Sequence, residues 1–174
     1  MHLTSGASLV LGGARSGKSA FAERIVLASG RKPVYVATSR IWDGEMEQRV
    51  DLHKLRRGPE WHLVEEPLAL ADTLVQHATA KTAVLVDCLT LWVTNLMMEE
   101  RDVDAEADML VARLVDLPDT AQVLFVSNEV GLGIVPMDKM ARDFRDHAGR
   151  LNQSIAAQAK NVWFVTAGLP QQLK

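Results

Sequence analysis

The chain has 174 residues, 48% of them hydrophobic and 24% charged, enough to bury one sizeable core. A formal net charge of −3 argues against a general nucleic-acid or membrane-surface role, so any basic site has to be local. One cysteine, Cys88, excludes an internal disulfide and fits a reducing compartment.

In chain order, Ser8–Leu11 reads as a short apolar strand that runs into a glycine-rich loop. A helix follows over Lys18–Ala28, with Phe21, Ile25 and Ala28 on its apolar face. Pro33–Ala37 is the second strand, and helical patterning over Glu45–Arg57 is stopped by Gly58-Pro59. A weaker strand at Trp61–Val64 and a helix at Leu68–Ala78 come next. Ala83–Asp87 is a strand, Leu89–Glu99 and Ala105–Leu117 are helices, and Gln122–Ser127 is a strand. A long helix over Met137–Ala159 and a strand over Val162–Thr166 complete the pattern.

Most of these strands are continuous apolar runs, as expected where both faces of a sheet are covered. Strands alternating with helices predict an α/β domain built on a parallel sheet, with ligands at the carboxyl ends of its strands. No repeat or linker divides the chain, so residues 1–174 are read as one domain. No stretch is long and apolar enough for a bilayer span, and no secretory leader is read at the start, which predicts a cytoplasmic protein.

The first loop carries the chemistry. Gly12-Gly13-Ala14-Arg15-Ser16-Gly17-Lys18-Ser19 is the phosphate-loop spacing, with a strand before it and a helix after it. Glycines let successive N–H groups turn toward phosphate oxygens, and the helix N-terminus adds its partial positive charge at the same point. Lys18 is placed to reach the β- and γ-phosphates, and Ser19 to ligate Mg²⁺. Asp87, closing the apolar strand Ala83-Val84-Leu85-Val86, is the natural second Mg²⁺ residue. Cys88 beside it reads as a small buried hydrophobe rather than a nucleophile.

A second constellation lies in Glu45–Arg57. On a helix, Arg49, His53 and Arg56 or Arg57 share one face, beside an apolar side made by Met46 and Val50. Neighbouring cations disfavour the imidazolium and would keep His53 neutral, a competent nucleophile toward phosphorus. Pattern alone nevertheless favours a solvated basic face with an incidental histidine.

At this point the chain resembles a known family, the bifunctional adenosylcobinamide kinase / adenosylcobinamide-phosphate guanylyltransferases of cobalamin biosynthesis. The likeness rests on the phosphate loop, Tyr35-Val36-Ala37-Thr38, Asp43-x-Glu45-Met46-x-x-Arg49-Val50-x-x-His53, Trp61 and Glu65-Glu66-Pro67. It continues through the run from Val86 to Leu96, Ser127-Asn128-Glu129-Val130-Gly131-x-Gly133-Ile134-Val135-Pro136, Arg142-x-Phe144-Arg145-Asp146, Asn152-Gln153 and Ala167-Gly168-Leu169-Pro170. The segments around His53 and at Ser127–Pro136 are far more specific than the phosphate loop.

The resemblance implies an α/β fold of the phosphate-loop (P-loop) NTPase type, three-layered and RecA-like, with a mainly parallel central sheet. It implies two reactions. ATP or GTP phosphorylates adenosylcobinamide, and GTP then guanylylates adenosylcobinamide phosphate through a GMP–histidine intermediate that falls on His53. It further implies a nucleotide site of Gly12–Ser19, Ala37, Thr38, Ser39, Lys54, Leu55, Arg56, Arg57, Glu65 and Asp87, with Mg²⁺ at Ser19 and Asp87. A homo-oligomer with the corrinoid near a subunit boundary is implied as well.

Two positions depart from the family pattern: Lys54 stands where many relatives have Arg, and Leu63 where a hydroxyl residue is common. A single-activity small-molecule kinase, or a regulatory or motor NTPase, would share the phosphate loop and Asp87 but would not need a nucleophilic histidine. The glycine-rich run Ser127–Pro136 follows a strand and is expected at the ligand edge. Arg142, Arg145 and Asp146 lie on the helix beyond it, where a salt-bridged surface is the plain alternative. Trp42, Trp61 and Trp92 read as core or interface residues.

Overall fold

The computed structural model describes residues 2–40 and 58–174. The elements in chain order are β1 (Gly6–Gly12), α1 (Lys18–Leu27), β2 (Lys32–Ala37), β3 (His62–Glu65) and α2 (Leu70–His77). They continue with β4 (Thr82–Asp87), α3 (Leu89–Met98), α4 (Val103–Asp116), β5 (Gln122–Asn128), α5 (Lys139–Gln158), β6 (Asn161–Thr166) and β7 (Leu169–Gln172). The expected helix over Glu45–Arg57, with Trp42 before it, lies outside the described residues.

One seven-stranded sheet runs in the order β3-β2-β4-β5-β1-β6-β7. Every neighbouring pair is parallel except β6 with β7. Side chains alternate between the two faces, and each face has its own core. On one face Leu9, Val36, Val86 and Phe125 pack with α2, α3, α4 and α5 through residues such as Leu74, Trp92, Leu110 and Ile155. On the other, Val10, Tyr35, Leu85, Leu124 and Val126 pack against Phe21, Ala22, Ile25 and Val26 of α1. The result is three layers, helix–sheet–helix, with a mainly parallel sheet as expected.

Local chemistry accounts for the element ends. Asp102 and Asp138 accept from the N–H groups of Ala105 and Ala141 at 3.0 and 2.9 Å, which starts α4 two residues earlier than the apolar pattern alone suggests. The seventh strand is an addition to the six expected from sequence. Ala167 and Gly168 have φ of 50° and 78°, a two-residue turn with both residues left-handed, and β6 pairs with β7 from Thr166↔Leu169. Leu169-Pro170-Gln171-Gln172 carries little apolar signal, and its proline is tolerated because β7 is an edge strand. No helix among the described residues is long and apolar enough to cross a membrane.

Candidate active site

The phosphate loop bridges β1 and α1 at the carboxyl edge of the sheet. Its backbone needs glycine at two points. A Cβ on Gly12 would stand 2.5 Å from the Val165 carbonyl oxygen and 2.6 Å from Ser16 Oγ. Gly17 has φ 96°, and a Cβ there would stand 3.1 Å from Gly168 Cα. The tip of the β6–β7 hairpin therefore buttresses the loop, and Gly168 N–H donates to the Ser16 carbonyl at 2.8 Å. Gly17 ends the loop as the residue before α1, and no described side chain caps that helix. The first-turn amides have no intrahelical acceptor, so they are available to an anion.

Lys18 is buried at 8% exposure, and its Nζ donates to the Gly13 carbonyl at 3.0 Å, folding the side chain back over the loop. Burial pushes its pKa below the usual lysine value, and the negative charge of Asp87 opposes that. A cavity of about 540 Å³ opens here, lined by Ala14 to Ala20 together with Asp87, Cys88 and Asn128. Ser19 and Asp87 thus share one cavity with Lys18. Both offer oxygen donors, which suit a hard divalent cation such as Mg²⁺. Among the described residues no cluster of three or more His, Cys, Asp or Glu could hold a metal by itself. A hard cation here would complete its shell with nucleotide phosphates and water.

Asp87 is set in place by its neighbours. Tyr35 Oη donates to Asp87 Oδ2 at 2.9 Å, and the peptide from Asp87 to Cys88 is cis. Cys88 is buried as expected, and burial, reinforced by Asp87, pushes its thiol up to about 11, which keeps it protonated and inert. Thr38, fully buried, accepts from Cys88 N–H at 2.8 Å and donates to its carbonyl at 2.7 Å. Its hydroxyl locks the ends of β2 and β4 together. Asn95 Nδ2 ties the same corner to α3, donating to the Thr38 and Pro67 carbonyls at 2.7 and 3.0 Å.

Glu65, Ala37 and Asp87 stand level on three adjacent strands, β3, β2 and β4. The structure thus brings Ala14–Ser19 and Asp87 to one cavity, with Gly12 and Gly13 at the root of the loop, and sets Ala37, Thr38, Ser39 and Glu65 along the same sheet edge, one and two strands beyond Asp87. His53, Lys54, Leu55, Arg56 and Arg57 lie outside the described residues. Trp92 is fully buried, its Nε1 donating to the Leu68 carbonyl at 2.9 Å. Trp61 packs edge-on against Tyr35, 5.8 Å between ring centroids. Arg142, Arg145 and Asp146 fall on α5, where Arg145 pairs with Asp146 and Arg142 caps the Pro136 and Met137 carbonyls. Asn128 was read from sequence only as part of the run Ser127–Pro136 expected at the ligand edge, with no role of its own. The signal that could have found it is its position as the last residue of an apolar strand at the ligand edge.

A strand, a glycine loop over a helix N-terminus, a buried lysine and a carboxylate closing a neighbouring strand define a phosphate-loop NTPase-type domain of the RecA-like class. Solved structures agree on the fold: the RadB recombinase superposes with a TM-score of 0.56 at 17% identity, over 93% of this chain and 75% of that one. The flagellar accessory protein FlaH from Methanocaldococcus jannaschii superposes with a TM-score of 0.54 at 14% identity, over 99% and 79%. The sequence narrows this class: residues 8–173 match the family described as cobinamide kinase / cobinamide phosphate guanyltransferase, and the chain belongs to it. The bifunctional adenosylcobalamin biosynthesis protein CobP of Pseudomonas aeruginosa is 48% identical over 168 residues, 95% of this chain and 96% of the relative. CobU of Escherichia coli (strain K12), of the same description, is 39% identical over 181 residues, 95% and 98%. The chain is accordingly an enzyme, a transferase of that family.

Proposed function

We propose that this enzyme carries out two successive transfers on one corrinoid. In the first, the hydroxyl oxygen of adenosylcobinamide bonds to the γ-phosphorus of ATP or GTP. The bond to the β–γ bridging oxygen breaks, the nucleoside diphosphate leaves with the electron pair, and the hydroxyl proton is released. In the second, His53 attacks the α-phosphorus of GTP, pyrophosphate leaves, and the GMP group passes from the histidine nitrogen to a phosphate oxygen of adenosylcobinamide phosphate. The product is adenosylcobinamide-GDP.

The observation that carries this reading is the shared cavity of the phosphate loop, Lys18 and Asp87, in a chain matching its family over nearly its whole length. The loop amides and Lys18 bind and orient the phosphates, and Lys18 must leave the Gly13 carbonyl to do so. Ser19 and Asp87 would hold Mg²⁺, which supplies charge neutralisation on the phosphates. Lys54, Leu55, Arg56 and Arg57 are assigned to the nucleotide site by family likeness alone, and Ala37, Thr38, Ser39 and Glu65 extend it along the sheet edge. Thr38 does so through position and backbone, because its hydroxyl is committed to Cys88.

We infer further that the single domain assembles as a cytoplasmic homo-oligomer. The run after β5 supports this: Leu132, Ile134 and Met137 are 82%, 97% and 98% exposed, which suits a face covered by another subunit. Label placement tests the function. Label from γ-labelled nucleotide should enter adenosylcobinamide, and label from α-labelled GTP should enter its phosphate. Transfer of γ-label alone, with an intact His53, would reduce the enzyme to a plain kinase.

A further inference from the structure

The strand order sets β5 between β1, which carries the phosphate loop, and β4, which ends in Asp87. The last residue of β5 is Asn128, in register with Gly12. Asp87 is in register with Val126, so Asn128 stands two residues farther out along the strand, roughly 7 Å by strand rise. Alternation decides which face it serves. Leu124 and Val126 pack into the core on the α1 face and Phe125 into the other, so Asn128 has α1-face parity. Asp87 shares the parity of Leu85 and serves the same face. Both residues line the cavity that holds Lys18.

The backbone of Asn128 is held without help from its side chain. Its N–H donates to Thr90 Oγ1 at 2.7 Å, and its carbonyl accepts from Asn152 Nδ2 at 3.5 Å. The next N–H, of Glu129, donates to the Gly12 carbonyl at 3.1 Å and ties this strand end to the root of the phosphate loop. The carboxamide oxygen Oδ1, by contrast, is buried with no hydrogen-bond partner among the described residues. A buried, unmet polar atom lowers stability and calls for a reason. Here the group sits on the wall of a phosphate cavity, beside the carboxylate suited to the cation.

We propose that Asn128 bridges the terminal phosphoryl group and the acceptor hydroxyl. On ligand binding the carboxamide turns toward the cavity, so that its NH₂ donates to a γ-phosphoryl oxygen and Oδ1, now uncovered, accepts from the hydroxyl that attacks. No bond is made or broken at Asn128; it aligns the two reactants. The inference rests on the phosphoryl-transfer reading of the cavity given above.

Binding to Asn128→Ala and Asn128→Asp separates the two. Asn128→Ala should weaken a non-hydrolysable ATP analogue by about tenfold or more while leaving ADP within about twofold, as for loss of one hydrogen bond to a charged group. Asn128→Asp, the same size, should bind the analogue more weakly still, because its carboxylate repels the phosphate. Kinase kcat should fall in both variants at saturating nucleotide. Equal losses for ADP and the ATP analogue, no loss for either, or an Asn128→Asp variant as tight as wild type would overturn the inference. Wild-type protein that binds neither nucleotide would instead remove the nucleotide reading itself.

Discussion

Tyr35 and Asp87, on adjacent strands and fifty-two residues apart in sequence, meet through a 2.9 Å hydrogen bond from the phenol to one carboxylate oxygen. The bond fixes the carboxylate that closes β4 against the aromatic pair of Tyr35 and Trp61. Tyr35→Phe keeps the ring and deletes the donor. It should cost about 1–2 kcal/mol of stability, as for a hydrogen bond to a charged group. It should also raise the Mg²⁺ concentration needed for half-maximal turnover. Urea denaturation and a metal titration check both.

Asp87→Asn keeps size and fold and removes the charge that holds the cation. Turnover at low Mg²⁺ should fall steeply and recover in part as Mg²⁺ is raised. An unchanged metal requirement would take Asp87 out of the metal site.

Lys18 presents a trade between stability and activity. Its folded-state pKa lies below the unfolded value of 10.5 because burial disfavours the ammonium. The protonated lysine therefore destabilises the folded protein at neutral pH, and this penalty fades as pH rises through the folded pKa toward the unfolded one. Lys18→Met should be more stable than wild type at pH 7, by a margin that shrinks toward alkaline pH. It should lose both transferase activities, by about 2–4 kcal/mol of transition-state stabilisation each. Thermal melts across pH, with assays of each half-reaction, test the pair of claims.

The contact between the loop and the β6–β7 hairpin can be probed through glycine. Gly17→Ala forces a side chain into a left-handed residue and to 3.1 Å from Gly168 Cα, and should destabilise by about 1–3 kcal/mol with loss of nucleotide binding. Gly13→Ala meets nothing within 4 Å and should leave stability unchanged to about 0.5 kcal/mol. Denaturant midpoints distinguish the two variants.

The core strands and the phosphate loop were legible because their signals are local: apolar runs, glycine spacing, a carboxylate at a strand end. β7 was not, because Leu169–Gln172 owes its pairing to the turn at Ala167-Gly168 rather than to its own composition. Thr38 read as a nucleotide residue from sequence, yet its hydroxyl is consumed by Cys88, a partner fifty residues away that only the sheet brings near. Asn128 was legible only as part of a run expected at the ligand edge, since its own placement depends on β5 lying between β1 and β4. For His53 the pattern alone pointed to an incidental residue, and family likeness supplied the nucleophile.

The central claim is that His53 is that nucleophile, and the mass of the intact protein after incubation with GTP and Mg²⁺ tests it most directly. Wild type should gain one GMP, acid-labile as expected for phosphorus on a ring nitrogen and mapping to His53. His53→Asn should gain none yet still phosphorylate adenosylcobinamide, because phosphoryl transfer needs only positioned phosphates and an acceptor. An adduct on another residue, or guanylyl transfer undiminished in His53→Asn, would contradict the account.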